Sequence, residues 1–108
     1  MKPATFAPVY VSLFPHLSEI ANKNGYALAA HGSVQRDFDL IAVPWTDDPS
    51  STEVLISEIA NYLKIFEDIF GLEMHGPEQK PHGRIAWLLA TGFGSAIDIS
   101  VMPTIKKV

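Results

Sequence analysis

The chain has 108 residues, with eight Lys and Arg against twelve Asp and Glu and a formal charge of −4, a size that predicts one small domain spanning residues 1–108. Hydrophobic residues at 47% against 19% charged supply enough apolar material for a core and exclude a disordered chain. Cysteine is absent, which excludes disulfides, thiolate metal ligands and a Cys nucleophile and leaves carboxylates, imidazoles and hydroxyls to carry any chemistry.

The pI of about 5.4 argues against an extended nucleic-acid surface, because non-specific affinity comes from phosphate neutralisation by Lys and Arg. No apolar run approaches the length of a bilayer span, and Met1 to Tyr10 holds no signal-like apolar stretch, so a soluble, cytoplasmic protein is expected.

The first helix is expected between Pro8 or Ser12 and Asn24. Leu13, Leu17 and Ile20, with Ala21 beside them, form a buried stripe, and Asn24-Gly25 is a C-terminal stop. Pro15 fits only a first turn, which favours a start near Ser12. Tyr26 to His31 reads as a strand, Gly32 to Arg36 as a short turn, and Asp37 to Val43 as a second strand ending at Pro44. A second helix is expected from Ser50, three residues before Glu53 as in a capping box, with Leu55, Ile59, Leu63, Phe66 and Phe70 on one face until Gly71. Glu73 to Gly83, with two glycines, two prolines and two histidines, reads as a long loop. Arg84 to Ala90 and Ala96 to Val101 then read as two strands of a hairpin. The order α-β-β-α-β-β predicts an α+β domain, with helices on one face of a mixed or mostly antiparallel sheet.

Alternation in these strands concentrates acid on one side. Asp37 and Asp39 share a face, with Cα atoms roughly 6.6 Å apart, while Phe38, Leu40 and Ala42 take the other. In the last strand Ile97, Ile99 and Val101 face one way, and Asp98 and Ser100 the other. If the two strands are neighbours, three carboxylates gather on the uncovered face, where a divalent cation would relieve their repulsion. Magnesium, or manganese, suits a few carboxylates plus substrate phosphates. At the end of the first strand Gly32 permits close backbone approach, and Ser33 offers amide and hydroxyl donors of a kind that holds phosphate oxygens.

A hydrophobic strand ending in Gly32-Ser33, then Asp37-Phe38-Asp39, then Ile97-Asp98-Ile99 resembles the nucleotidyltransferase superfamily that includes DNA polymerase beta and the minimal nucleotidyltransferases. The resemblance spans roughly residues 26 to 101 and rests on few positions. It implies that Gly32 and Ser33 hold a nucleoside triphosphate and that Asp37 and Asp39 coordinate magnesium. Asp98 would then assist the metal that activates an attacking hydroxyl. Two features depart from the family pattern. Only Val34, Gln35 and Arg36 separate Gly-Ser from the first Asp, where members usually carry a longer spacer, and little chain follows Asp98. An acceptor site would then come from another subunit or a protein partner, a homodimer included.

Each of these features also has a purely structural reading. An exposed Asp-x-Asp is commonly solvated or paired with a nearby base such as Arg36, which as a site residue would contact phosphate. Gly32-Ser33 fits a tight turn with or without a ligand. Lys80, His82 and Arg84 place three cationic candidates around one strand start, able to contact substrate phosphate or to stay solvated. His75 and His82 lack metal-ligand spacing, and His31 is expected to be hydrogen-bonded and structural. Trp87, between Ala86 and Leu88, is expected in the core, whereas Trp45 after Pro44 is a candidate for stacking on a base near the site. The expected activity is metal-dependent nucleotidyl transfer to an unidentified acceptor; the alternative is a catalytically inactive module of the same fold that binds a partner.

Overall fold

The computed structural model describes residues 7–64, 72–91 and 95–104. Helix α1 (Ala7–Lys23) leads into strands β1 (Tyr26–His31) and β2 (Asp37–Pro44). Helix α2 (Thr52–Tyr62), strand β3 (Leu72–Gln79), a single 3₁₀ turn at Pro81–Gly83, β4 (Ile85–Thr91) and β5 (Ala96–Val101) follow. The five strands form one sheet in the order β1-β2-β5-β4-β3. Only β2 and β5 are parallel; the other three pairs are antiparallel. The mixed α+β sheet expected from the sequence is thus present, with one strand more than expected.

The core forms because alternate strand residues are apolar. Phe38, Leu40 and Ala42 of β2, Ile97, Ile99 and Val101 of β5, and Trp87 and Leu89 of β4 are buried on one face. Leu17 and Ala21 of α1 and Leu55, Ile56 and Ile59 of α2 cover that face, each large side chain contributing about 1.5–3 kcal/mol by leaving water. The opposite face carries no helix among the described residues. Trp87 is in the core as expected, and its indole Nε1 has no hydrogen-bond partner among the described residues.

Three expectations need correction. Helix α1 begins at Ala7, next to the Pro8 start that was one of the two expected, rather than near the favoured Ser12, and carries Pro15 in its interior, although an interior proline costs roughly 3 kcal/mol. Tertiary anchoring of Tyr10 offsets that cost: its ring stacks on Phe38 at 4.8 Å and its hydroxyl donates to the Arg36 carbonyl. At the other end the Asn24-Gly25 stop holds, with Asn24 Nδ2 donating to the Ile20 carbonyl at 2.9 Å.

Helix α2 is capped by Ser51, not Ser50. The Ser51 hydroxyl accepts from the Val54 amide at 3.2 Å, while Ser50 donates its own amide to the Asn24 carbonyl and accepts the Tyr26 hydroxyl at its carbonyl. Glu53 therefore helps through the first-turn dipole rather than as the second half of a capping box. Phe66, Phe70 and Gly71, and the Gly92-Phe93-Gly94 connection between β4 and β5, lie outside the described residues.

The third correction concerns Glu73 to Gly83, expected as loop. Leu72 to Gln79 pair with β4 as an edge strand, interrupted by a bulge between His75 and Glu78. Gly76 is required there: a Cβ on it would come 2.9 Å from the Ala86 carbonyl oxygen and 3.2 Å from Trp87 Cε3. Pro77 has no amide to donate, a loss that a bulge on an edge strand tolerates.

The cap assignment predicts that Ser51→Ala destabilises the fold by about 1 kcal/mol. Ser50→Ala stays within about 0.5 kcal/mol, since only its backbone is used. Urea unfolding of the two variants measures the difference.

Candidate functional site

The uncovered face is where the polar residues of the strands meet. In the parallel β2–β5 ladder, Asp39 stands opposite Asp98 and Asp37 opposite Ala96. The register of β1 places His31 opposite Asp39. On the other side Leu88 is opposite Asp98 and His75 opposite Leu88. One row across the sheet thus reads His31, Asp39, Asp98, Leu88, His75. Asp37 sits one step along the same face of β2, because alternate residues share a side.

The turn after β1 closes on this row. Gly32 has φ +79, a left-handed conformation that favours glycine, and a Cβ there would lie 2.9 Å from Asp39 Oδ2, which would have to turn aside. Val34 also adopts positive φ, at 58°, an unusual state for a β-branched residue. Its side chain packs at the border of the core, holding the short connection down. From beneath, the buried Tyr10 hydroxyl reaches the Arg36 carbonyl and, at 3.5 Å, the Ala96 carbonyl. It thereby ties the start of β2 to the start of β5, directly below the acidic row.

Burial raises the Asp98 carboxyl above its ordinary value. Asp39 pushes it further the same way and Asp37 adds to this, while Lys80 and His31 pull it down. Asp37 and Asp39 thus both bear electrostatically on Asp98. No ion pair joins Asp37, Asp39 or Asp98 to a base among the described residues. Nor does any group of three or more His, Asp or Glu side chains among them stand ready to hold a metal ion. The donors are carboxylate oxygens on one open surface, the hard ligand type that magnesium and manganese take.

The remaining expected site residues divide. Ser33 and Arg36 lie exposed in the turn between His31 and Asp37. Lys80 pairs with Glu78 at 2.9 Å while acting on Asp98. Arg84 donates to Ser100 Oγ at 3.1 Å, one step from Asp98 on the same face of β5. His82 is elsewhere: it lines a cavity with Trp45, Met102 and Pro103 at the far end of the sheet. Trp45 lies six residues beyond Asp39, about 20 Å at strand rise, and so stands away from the carboxylates.

The sequence reading missed the β3 contribution. A cleft of about 450 Å³ beside the bulge is bounded by His75, Glu78, Lys80, Leu88 and Asp98. The alternation of Leu72 and Met74 with Glu73 and His75 was the available signal, masked by the Gly-Pro pair that follows. Comparison with family models, with curated proteins and with solved structures finds no match for the chain.

Two outcomes test this geometry. Because folding raises the Asp98 carboxyl, its ionised form opposes folding: the native state is favoured below the ordinary carboxylate range, and that advantage is lost as pH rises through the raised value. Asp98→Asn in metal-free protein therefore melts higher than wild type at neutral pH, and the gap shrinks as pH falls through the carboxylate range. Thermal unfolding over a pH series measures it. Gly32→Ala meets both the positive φ and the Asp39 carboxylate, and costs about 1–2 kcal/mol, read by denaturant unfolding.

Proposed function

We propose that this chain is a nucleotidyltransferase-like domain that binds magnesium or manganese through Asp37, Asp39 and Asp98. In this reading it takes a nucleoside triphosphate for transfer of the nucleotidyl group to a hydroxyl acceptor. The observation that carries the reading is the pairing of Asp39 with Asp98 across the parallel ladder, with Asp37 one step along and Gly32 against Asp39. Mutually opposed, partly desolvated carboxylates without basic partners are poised for a divalent cation. A bound cation would neutralise charge growing on the phosphoryl oxygens.

The chain's own residues supply the positioning. Ser33, by amide and hydroxyl, and the Gly32 backbone hold phosphate oxygens, with Arg36 flanking them. Lys80 and Arg84 stand at the border of the acidic row for further phosphate contact. In the reaction the acceptor oxygen bonds to the α-phosphorus, the bond to the bridging oxygen breaks and pyrophosphate leaves. The hydroxyl proton passes to Asp98, which faces Asp39 across the parallel ladder.

A second reading has its own support. The absence, among the described residues, of a ready three-ligand group and the three-residue turn between Ser33 and Asp37 fit an inactive module that keeps the fold for binding. Calorimetric titration of Mn²⁺ into wild type and Asp39→Asn, each with and without ATP, separates the two. Binding in wild type that strengthens with ATP and drops at least tenfold in Asp39→Asn is the expected result. Equal Mn²⁺ affinity in both folded proteins overturns the site, and no binding in either favours the inactive module.

A further inference from the structure

The two edges of the sheet are built differently. At one end β3 is interrupted by a bulge between His75 and Glu78 and carries Pro77, Glu73 and Glu78, devices by which an edge strand avoids pairing with another chain. At the other end β1 reads Tyr-Ala-Leu-Ala-Ala-His, without a proline, Lys, Asp or Glu, and pairs with β2 in unbroken register. The direction of its backbone groups follows from two hydrogen bonds. The Trp45 amide donates to the Gly25 carbonyl at 3.0 Å, one step beyond the Tyr26–Pro44 pair, so the odd-numbered residues of β1 point their N–H and C=O at β2. The Ala42 carbonyl, on the residue opposite Leu28, instead accepts from the Met102 amide on the β5 side at 2.9 Å. Leu28 and Ala30 therefore aim their amides and carbonyls away from the sheet, where no hydrogen bond reaches them among the described residues. Tyr26 has the same orientation but is only 4% exposed, so its edge is covered, whereas Ala27, Ala29, Ala30 and His31 are exposed.

We infer that a second copy of this chain pairs with β1 edge to edge, antiparallel about a two-fold axis at Ala29, so that the two sheets become one. In that register the Leu28 amide and carbonyl bond the carbonyl and amide of Ala30 of the partner subunit, and the axis repeats the exchange, which satisfies the outward groups of both residues in both copies. Ala29 meets Ala29 of the partner subunit in a non-hydrogen-bonded pair, where Cα atoms approach to about 4.5 Å and a small side chain fits. A second copy suits this edge because the open stretch is self-complementary: it is small and uncharged on either side of Ala29, and a two-fold axis turns donors onto acceptors. Helix α1 supports the same occupant. It packs on β1 while α2 packs on β4, and His16 stacks on Tyr62 of α2, so the opposite flank of α1 lies toward the free edge. That flank holds Val11, Phe14, Pro15 and Ser18, none of them charged, with Val11 68% exposed. The axis brings the flank toward its mate, adding apolar burial to the backbone bonds. The joined sheet then ends at both sides on β3, the blunted edge.

Sedimentation equilibrium of the chain tests this without metal or nucleotide, and so independently of the nucleotidyl-transfer reading. A reversible dimer, twice the chain mass of 11.9 kDa, is expected at protein concentrations up to about 1 mM. Ala30→Pro removes an outward amide that β2 does not use and weakens association by about tenfold or more. Ala29→Lys and Ala29→Glu each set like charges against one another at the axis and weaken it as well, while an equimolar mixture of the two restores dimerisation. Circular dichroism and thermal melts establish that these variants, altered at exposed positions, stay folded. A wild-type chain that remains monomeric up to that concentration overturns the inference. So does a dimer that neither folded Ala30→Pro nor folded Ala29→Lys weakens, or a mixture no more associated than its components.

Discussion

Strict alternation along β2 and β5 is the constraint on which the rest of the molecule depends. Burying Phe38, Leu40 and Ala42 against the helices, and Ile97, Ile99 and Val101 beside them, forces Asp37, Asp39 and Asp98 to the opposite side. A one-residue slip of either strand would put carboxylates into the core and apolar side chains into water. The hydrophobic free energy of the core therefore fixes where the acids stand, and the parallel register decides that Asp39 and Asp98 face each other. The acidic row stands where core packing puts it, at a cost that the Asp98 carboxyl registers by holding its proton more tightly than usual.

Tyr10 connects that constraint to the turn above it. Parallel strands share no hairpin, so no tight turn fixes the start of β2 against the start of β5, and a side chain that touches both reinforces their ladder. The Tyr10 hydroxyl contacts the Arg36 and Ala96 carbonyls, and its ring stacks on Phe38 between the two aspartates of β2. A helix that continues through Pro15 is the means of delivering this side chain. The same contacts explain why α1 starts earlier than proline rules allow: local propensity was outweighed by a long-range anchor, which a single sequence does not display.

Strands with clean period-two alternation, β2 and β5, were legible to within a residue, and so was the sharing of one face by Asp37 and Asp39. The juxtaposition of Asp39 with Asp98 was conditional on strand order, which hydropathy does not encode. The edge strand β3 was not legible, because its ladder partner lies on one side only, its residues from Glu73 to Gln79 are exposed, and a Gly-Pro bulge interrupts the pattern. His82 was grouped with Lys80 and Arg84 by nearness in sequence. The tight turn, closed by the Lys80 amide on the Arg84 carbonyl and with His82 at φ 67, instead carries the imidazole beyond the strand ends, beside Trp45 and Met102.

The placement of the bases bears on how a ligand would enter. Lys80 is held by Glu78 and Arg84 by Ser100, so the nearest cations rim the acidic row instead of neutralising it. An anionic phosphate approaching Asp37, Asp39 and Asp98 alone meets like charge on an open, solvated face. Accompanied by a divalent cation, it meets attraction at the row and complementary charge at the rim. On the proposed reading cation and phosphate would be mutually dependent ligands: each would lower the electrostatic cost of the other, and by linkage the gain would be the same whichever arrived first.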